Sequence, residues 1–325
     1  MDEKDIKGYT REEVLSITNY KNSLHKGKKP RVYQRYQDDL MKRGSMDYDD
    51  LLLTFLREIK HHPERIKYRY IFVDEFQDTN PLQYEVLKQL IKKDTSVFAV
   101  GDPDQSIYQF RGATSKIIDQ YIKDYHATVY KLTLNYRSFQ SIITCANLLI
   151  KHNTRKYPKV LMPTHLSQGK AFTMRFIDDK EESNTIISFL QAMHRLGTRY
   201  EDMAIFFRNH QRAYLLMITL HEQGISFQRK DDEEVSGHGL HLMSRHQSKG
   251  LEFDVVIIMG CEEGLLPSTR INMISAYEEE RRLMFVAITR ARHILLATSI
   301  IHDSENHHFT SSPFLRESGL KNISP

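Results

Sequence analysis

The chain has 325 residues, and its 46 Lys and Arg against 42 Asp and Glu give a formal net charge of +4. This length predicts about two domains, and a composition that is 40% hydrophobic and 27% charged excludes a disordered chain. No apolar run approaches the roughly 18 residues of a membrane span, and the charged N-terminus does not resemble a secretory signal. Two cysteines are too few for a disulfide framework or a structural zinc site. We therefore expect a cytoplasmic protein without a membrane partner.

The first 56 residues predict helices, one opening near residue 11 and another covering residues 33–42. Residues 21–43 hold eight Lys and Arg against two Asp, a local charge of +6, with Tyr20, Tyr33 and Tyr36 among or beside them. This pattern is typical of a surface that follows nucleic-acid phosphates. It is equally typical of the solvated face of a helix, and the stretch alone does not choose between the two.

The chain between residues 57 and 134 alternates strands and helices. Short apolar runs predict strands at residues 70–73, 97–100 and 129–134, and a helix follows Pro81 to residue 91. The Pro- and Gly-containing stretch 153–170 predicts a linker or a meandering segment.

The same alternation continues to the end of the chain. Strands are predicted at residues 172–176, 203–207, 240–243, 254–259 and 294–298, and helices at residues 138–151, 181–196, 211–223 and 278–292. Repeated strand–helix units predict an α/β fold with mostly parallel sheets. Ligands in such sheets lie beyond the carboxyl ends of the strands, and the polar motifs of this sequence fall at those positions.

A pair of acids, Asp74 and Glu75, follows the first of these strands directly. One such acid can hold magnesium through water and the other can polarise an attacking water, although acids at this position more often cap a helix. The surrounding sequence makes the pair specific. It reads DEFQDTN at residues 74–80 and GDPDQSIYQFRG at residues 101–112.

These two segments resemble motifs II and III of the superfamily 1 DNA helicases of the UvrD, PcrA and Rep type. The order continues with segments similar to motifs IV, V and VI, namely LNYRS at residues 134–138, HQSKGLE at 246–252 and EEERRLMFVAITRA at 278–291. Similarity extends from about residue 33 to residue 299. Five motifs in the family's order indicate common ancestry where any one of them alone would not.

The resemblance implies an α/β fold of RecA-like P-loop NTPase lobes with parallel sheets. It divides the chain into a partial helical insertion (1–56), a partial first lobe with motifs II and III (57–134), and a second lobe with motifs IV, V and VI (135–325). It also implies an ATP-dependent DNA helicase that moves 3′ to 5′ on single-stranded DNA. The cofactors that the resemblance implies are ATP and Mg²⁺, expected between the lobes. The partner that it implies is single-stranded DNA or a junction of duplex and single strand.

Residue roles follow from the matched motif positions. Asp74 is the expected magnesium ligand, Glu75 the base for the attacking water, and Gln105 the sensor of the γ-phosphate that couples it to DNA. Arg137 and Arg290 are the expected arginines that stabilise charge on the transferring phosphoryl group, which a guanidinium suits because its fork of donors matches phosphate oxygens.

The remaining implied roles concern adenine, ribose and DNA. Tyr136 is expected to stack on adenine, and Glu252 to contact the ribose or the groups near the phosphates. The expected DNA contacts are Tyr108, Phe110, Arg111, His246 and Lys249. Tyr108 and Phe110 suit base stacking. The alternative is that they are two core aromatics beneath a loop.

Two parts of the family pattern are missing from the sequence. No Gly-x-x-x-x-Gly-Lys-Ser/Thr, the P-loop that cradles phosphates, occurs in the 325 residues, and about twenty residues stand where relatives insert a large helical domain before motif V. A first lobe without the P-loop strand would expose an apolar strand edge. We therefore expect a P-loop-bearing chain to complete this one in trans. The alternatives are a non-catalytic single-stranded-DNA-binding or regulatory module, and a decayed fragment.

Overall fold

The computed structural model describes residues 8–108, 116–165, 167–229, 239–268, 273–303 and 305–323. The chain separates into two units, residues 1–130 and residues 131–325. The predicted division at residues 56 and 134 stays a prediction. In the part of the chain that is described, no helix combines the length and the apolar character that a membrane crossing requires.

The first unit begins with three helices: α1 (Arg11–Asn22), α2 (Tyr33–Lys42) and α3 (Tyr48–His61). Helices α1 and α3 begin at polar residues whose side chains cap the first turn. Thr10 and Glu13 form a reciprocal capping box on α1, and the Asp47 side chain accepts the Asp50 amide at the start of α3.

A small parallel sheet follows these helices. Strands β1 (Tyr70–Val73) and β2 (Ser96–Ala99) pair in parallel, and helices α4 (Pro81–Leu90) and α5 (Lys116–Tyr125) complete the unit. Alternate strand residues, Ile71 and Val97 among them, pack into a core with Phe76. The opposite face of the sheet is exposed: Phe72 is 78% accessible and its ring lies 6.4 Å from that of Phe98.

The predicted strand at residues 129–134 is mostly wrong. Only Leu134–Asn135 forms a strand, β3, which pairs in parallel with β4 (Met162–Pro163). The side chains of Tyr130 and Leu132 are exposed instead. An apolar run becomes a strand when a neighbouring strand takes its backbone hydrogen bonds. The Thr133 carbonyl accepts the Met162 amide of β4 at 2.8 Å, but residues 129–132 join no sheet in the described part of the chain.

The second unit is built on one parallel sheet. Within the described residues its seven strands lie in the order β11-β5-β10-β9-β6-β8-β7. Their bounds are Lys170–Phe176 (β5), Met203–Phe207 (β6), Phe227–Arg229 (β7), Leu240–Ser244 (β8), Phe253–Ile258 (β9), Ala291–Ile300 (β10) and Lys321–Asn322 (β11). Every pairing is parallel. The predicted α/β class with parallel sheets is confirmed.

Helices cover both faces of this sheet. Their bounds are Gln140–Ile150 (α6), Asp179–Arg195 (α7), His210–Glu222 (α8), Ile274–Ile288 (α9) and Pro313–Glu317 (α10). Helices α6, α9 and α10 contribute to one buried cluster, in which Phe285 packs with Phe206 of β6. Helices α7 and α8 contribute to another cluster, in which Leu190 packs with Ile205 of the same strand. Successive residues of a strand point to opposite faces, so β6 is buried on both.

The predicted helix at residues 278–292 ends earlier than expected. Helix α9 stops at Ile288 and β10 begins at Ala291. The Arg290 carbonyl accepts the Phe253 amide at 2.9 Å, and Ala291 pairs with Phe253 in the sheet. Pairing with β9 therefore overrides the helical pattern, and Arg290 lies at the corner between helix and strand.

The basic stretch 21–43 does not lie wholly on the surface. Lys21 is fully buried, and its Nζ lies 2.6 Å from Asp47 Oδ2 and 2.8 Å from Asp50 Oδ1. The Tyr36 hydroxyl donates to the same Asp47 oxygen at 2.9 Å. Lys21 therefore joins α1 to α3 as a buried ion pair, and its inclusion in a phosphate-binding surface is wrong. The Lys and Arg residues of the stretch that are exposed are Lys26, Lys28, Lys29, Arg31, Arg35, Lys42 and Arg43.

Replacing Lys21 tests this reassignment. We expect Lys21→Met to lower the free energy of unfolding by about 3 kcal/mol, because it leaves two largely buried carboxylates without their cation. Urea unfolding of the chain measures the change. The matched control is Lys42→Met, since Lys42 is exposed and lies 3.8 Å from Asp39, and surface pairs contribute at most about 1 kcal/mol. Equal effects of the two substitutions would contradict the buried pair.

Candidate active site

The acids Asp74 and Glu75 lie at the carboxyl end of β1, where ligands of parallel sheets bind. Both are exposed. The Asp74 Oδ1 accepts the Glu75 amide at 2.8 Å, and Glu75 has a φ of 50° in the left-handed region. Non-glycine residues rarely adopt this backbone, and when they do they are concentrated at functional sites.

Hydrogen bonds connect Glu75 to Gln105 within this unit. Gln77 Nε2 donates to Glu75 Oε2, and Gln77 Oε1 accepts the Asp102 amide at 2.7 Å. The side chain of Asp102 makes the next link, because its Oδ2 accepts from Gln105 Nε2 at 2.7 Å. The structure thus brings together two of the predicted residues through Gln77 and Asp102. Sequence reasoning missed both, although each lies inside a quoted motif.

The donor set at Asp74 fits a magnesium ion of the kind that binds with a nucleotide. Among the described residues, no group of three or more His, Cys, Asp and Glu is placed to hold a metal alone. Mg²⁺ is commonly held by one or two carboxylates together with water and substrate phosphates. An exposed carboxylate at the end of β1 supplies that kind of ligand.

The predicted residues of the second unit that converge are Tyr136, Arg137 and Glu252. They line a cavity of about 640 Å³ whose other lining residues are Leu134, Asn135, Phe139, His165, Arg292 and His293. Arg137 Nε donates to Glu252 Oε2 at 2.5 Å, and Arg292 donates to the other oxygen of Glu252. Bonds from Arg292 and Arg137 hold the pKa of the Glu252 carboxyl below its ordinary value. Arg292 lay outside the sequence prediction.

Tyr136 presents an open ring in this cavity. Its side chain is 70% exposed, and its carbonyl accepts from His165 Nε2 at 2.7 Å. Phe139 lines the same cavity, and its ring centroid lies 5.5 Å from that of His165 and 4.7 Å from that of His293. An exposed aromatic ring whose backbone is fixed by a hydrogen bond suits stacking on a flat heterocycle.

Arg290 lies in a different environment from Arg137. It is 3% exposed, and its Nε donates to the Val286 carbonyl at 3.0 Å. Its Nη1 donates to the Leu251 carbonyl and its Nη2 to the Thr289 hydroxyl. The guanidinium therefore ties α9 to the turn before β9, and its predicted role at a phosphoryl group stays a prediction.

The predicted DNA residues are only partly described. Tyr108 is half-buried and follows the turn that carries Gln105, whereas Phe110 and Arg111 lie outside the described residues. His246 and Lys249 are half-buried on the turn between β8 and β9, and the Lys249 amide donates to the His246 carbonyl at 3.4 Å.

Comparison with known proteins covers both units. Residues 3–126 match the UvrD/REP helicase N-terminal domain, and residues 130–235 and 227–301 match the UvrD-like helicase C-terminal domain. The chain is 32% identical over 298 residues to a probable DNA helicase of Mycoplasma pneumoniae, with 88% of this chain and 54% of that protein covered.

Two ATP-dependent DNA helicases named PcrA are also similar. The Staphylococcus epidermidis protein is 34% identical over 212 residues, covering 63% of this chain and 29% of the relative. The Staphylococcus aureus protein is 33% identical over 233 residues, covering 66% and 32%. The chain thus spans about half the length of the first relative and about a third of the PcrA proteins. Because the C-terminal domain match alone covers more than half of its residues, the chain belongs to the UvrD-like helicase family.

Proposed function

We propose that the chain acts in an ATP-dependent DNA translocase and helicase that moves 3′ to 5′ on single-stranded DNA. The observation that carries the proposal is the hydrogen-bonded placement of Glu75 and Gln105 at the carboxyl ends of β1 and β2. Parallel sheets bind nucleotides at that edge. The PcrA relatives are ATP-dependent DNA helicases by name, which supports the ATP-dependent helicase activity.

The chemistry assigned to each residue follows from its surroundings. Glu75 is exposed at a strand end, where its carboxylate can take a proton from a water that attacks the γ-phosphate. Arg137 lines an open cavity and offers a guanidinium to phosphate oxygens. Tyr136 offers its ring to adenine, and Glu252 accepts from a ribose hydroxyl. Bound Mg²⁺ with Asp74 would neutralise phosphate charge.

The exposed face of the first unit's sheet is evidence for the proposal that a P-loop-bearing segment outside these 325 residues completes the unit. Parallel sheets are almost always covered on both faces, yet Tyr70, Phe72 and Phe98 leave one face of β1 and β2 open. A further strand and helix would bury that apolar surface. We propose that the segment with the P-loop supplies them, whether as a separate chain or joined to this one.

DNA binding is assigned to residues that carry charge or an aromatic face. The loop between α1 and α2 exposes Lys26, Lys28, Lys29 and Arg31, which suits contact with phosphates. Tyr108 lies next to the turn of Gln105, so a base stacked there would be close to the residue assigned to the γ-phosphate. The other assigned contacts are Phe110, Arg111, His246 and Lys249.

Reconstitution tests the proposal. The chain is mixed with, or fused to, the P-loop-bearing N-terminal segment of a PcrA relative, and ATP hydrolysis is measured with and without single-stranded DNA. We expect DNA-stimulated hydrolysis only when both parts are present, because the P-loop amides and lysine hold the β- and γ-phosphates. Unwinding of duplexes with a 3′ or a 5′ tail then reports polarity.

The control is the same mixture with the P-loop lysine of the added segment replaced by alanine. Activity no greater than that of either part alone, in the mixture and in the fusion, would contradict the proposal. Salt-dependent binding of single-stranded DNA without any effect of ATP would instead favour the non-catalytic module. A 5′-tail preference would overturn only the polarity.

A further inference from the structure

We propose that Gln77 is a positioning residue that fixes Glu75 relative to the turn carrying Gln105, and so links the base to the γ-phosphate sensor. The inference rests on the proposed ATPase function, which gives Glu75 and Gln105 their roles. Gln77 itself is fully buried. It therefore acts through its neighbours and does not touch the nucleotide.

The side chain of Gln77 spans the gap between the turn of Glu75 and the turn of Asp102. Its Nε2 donates to Glu75 Oε2 at one end, and its Oε1 accepts the Asp102 amide at 2.7 Å at the other. The backbone carbonyl of Gln77 also accepts from the Ser106 hydroxyl at 3.3 Å. Buried hydrogen bonds of this kind set a single arrangement, because leaving any of these groups without a partner is costly.

The bridge continues on the far side of Asp102. The Asp102 carboxylate accepts from Gln105 Nε2 at 2.7 Å and from the Asp104 amide at 3.0 Å. The Gln105 amide has two N–H donors, so a phosphate oxygen that binds it would share this group with the Asp102 carboxylate, and a movement of Gln105 toward the phosphate would shift that carboxylate. That shift reaches Gln77 through the Asp102 amide and Glu75 through the Gln77 side chain.

Gly101 shows how closely the backbone packs on this bridge. A Cβ at Gly101 would lie 2.8 Å from Gln77 Oε1, 3.1 Å from the Gln77 amide nitrogen and 3.2 Å from Phe76 Cβ. These distances are below ordinary van der Waals contact, and two of the three atoms cannot rotate away. Glycine at this position thus leaves Gln77 the room to reach the Asp102 amide.

The chemistry of the bridge requires an amide side chain. Glutamine offers a donor to the Glu75 carboxylate and an acceptor to the Asp102 amide from one group. Glutamate retains the acceptor but has no donor for Glu75 when ionised, and methionine fills the space with neither. Gln77→Glu therefore removes one arm of the bridge, and Gln77→Met removes both.

The first test uses the reconstituted ATPase described above. We expect Gln77→Met and Gln77→Glu to lower kcat about ten- to a hundredfold, a cost typical of a misplaced catalytic group, with KM for ATP changed less than about twofold. Gln77→Met combined with Gln105→Ala should be no slower than the slower single variant, because both act on one unit. The control is Gln89→Met, which removes a similar bond from Gln89 to Glu85 away from the site.

The second test uses the chain alone and needs no ATPase activity. Amide hydrogen exchange at Asp102 should be at least about tenfold faster in Gln77→Met than in the unsubstituted chain, and unchanged in Gln77→Glu and Gln89→Met. Unchanged exchange in Gln77→Met would overturn the bridge itself. If the unsubstituted protein is active, two results would overturn the positioning role. One is an unchanged kcat in the Gln77 variants, and the other is a double variant whose loss of kcat equals the product of the two single losses. An inactive unsubstituted protein would count against the proposed function, while the exchange result still decides the bridge.

Discussion

Glu75→Gln is expected to lower DNA-stimulated ATP hydrolysis of the reconstituted protein by roughly 10²–10⁴-fold, the usual contribution of a general base. The amide keeps the size of the side chain and can still accept from Gln77 Nε2. It cannot take a proton from water, however. Binding of ATP and of single-stranded DNA should therefore persist while turnover is lost, and steady-state kinetics with fluorescent-nucleotide binding measure both.

The matched control is Glu64→Gln, since Glu64 is also an exposed carboxylate, in a short turn after α3. We expect its ATPase activity to stay within about twofold of the unsubstituted protein, as surface changes away from a site usually have small effects. A Glu75→Gln protein that hydrolyses ATP at a near-normal rate would rule out Glu75 as the base.

The architecture was largely predictable from the sequence, because strand and helix periodicity is local. The strand Met203–Phe207 and the helix Tyr33–Lys42 match their predicted bounds. The misses concern long-range pairing. Residues 129–132 are apolar enough for a strand but have no partner strand among the described residues. Helix α9 ends early because β10 pairs with β9.

Only those residues of the candidate site that lie at matched motif positions were predictable from the sequence. Glu75 and Gln105, or Arg137 and Glu252, could be named from their motifs, but the groups that hold them could not. Gln77 and Arg292 act through contacts with residues that are distant in sequence, and no spacing encodes those contacts. Lys21 is the opposite case: the charge count predicts a surface lysine, whereas the fold buries it.

A buried ion cluster in the second unit carries the other large expected effect. Arg212 Nη1 lies 2.7 Å from Glu182 Oε2, and its Nη2 lies 2.9 Å from Glu262 Oε1. Both acids are fully buried, and Glu262 also accepts the Ile300 amide at 3.0 Å. The cluster thus joins α7 and α8 to the segment after β9, which holds Glu262, and to the end of β10, which holds Ile300.

We expect Arg212→Met to lower the free energy of unfolding by about 5 kcal/mol, because two buried carboxylates lose their cation. Urea unfolding monitored by circular dichroism measures the change. The control is Arg199→Met, which also removes an arginine with two acidic partners, Glu201 at 2.7 Å and Asp202 at 2.9 Å. That arginine is exposed, so its loss should cost at most about 1 kcal/mol.

The pH dependence of this effect has a definite sign. Burial raises the pKa of Glu182 above its ordinary value, even with Arg212 beside it, so the folded state binds more protons than the unfolded state above that ordinary value. Stability contributed by this group therefore falls as pH rises through the raised pKa. Without Arg212 the pKa rises further, and the Arg212→Met deficit should be smaller at pH 5 than at pH 8. An equal deficit at both pH values would show that the lost cation is not what destabilises the variant.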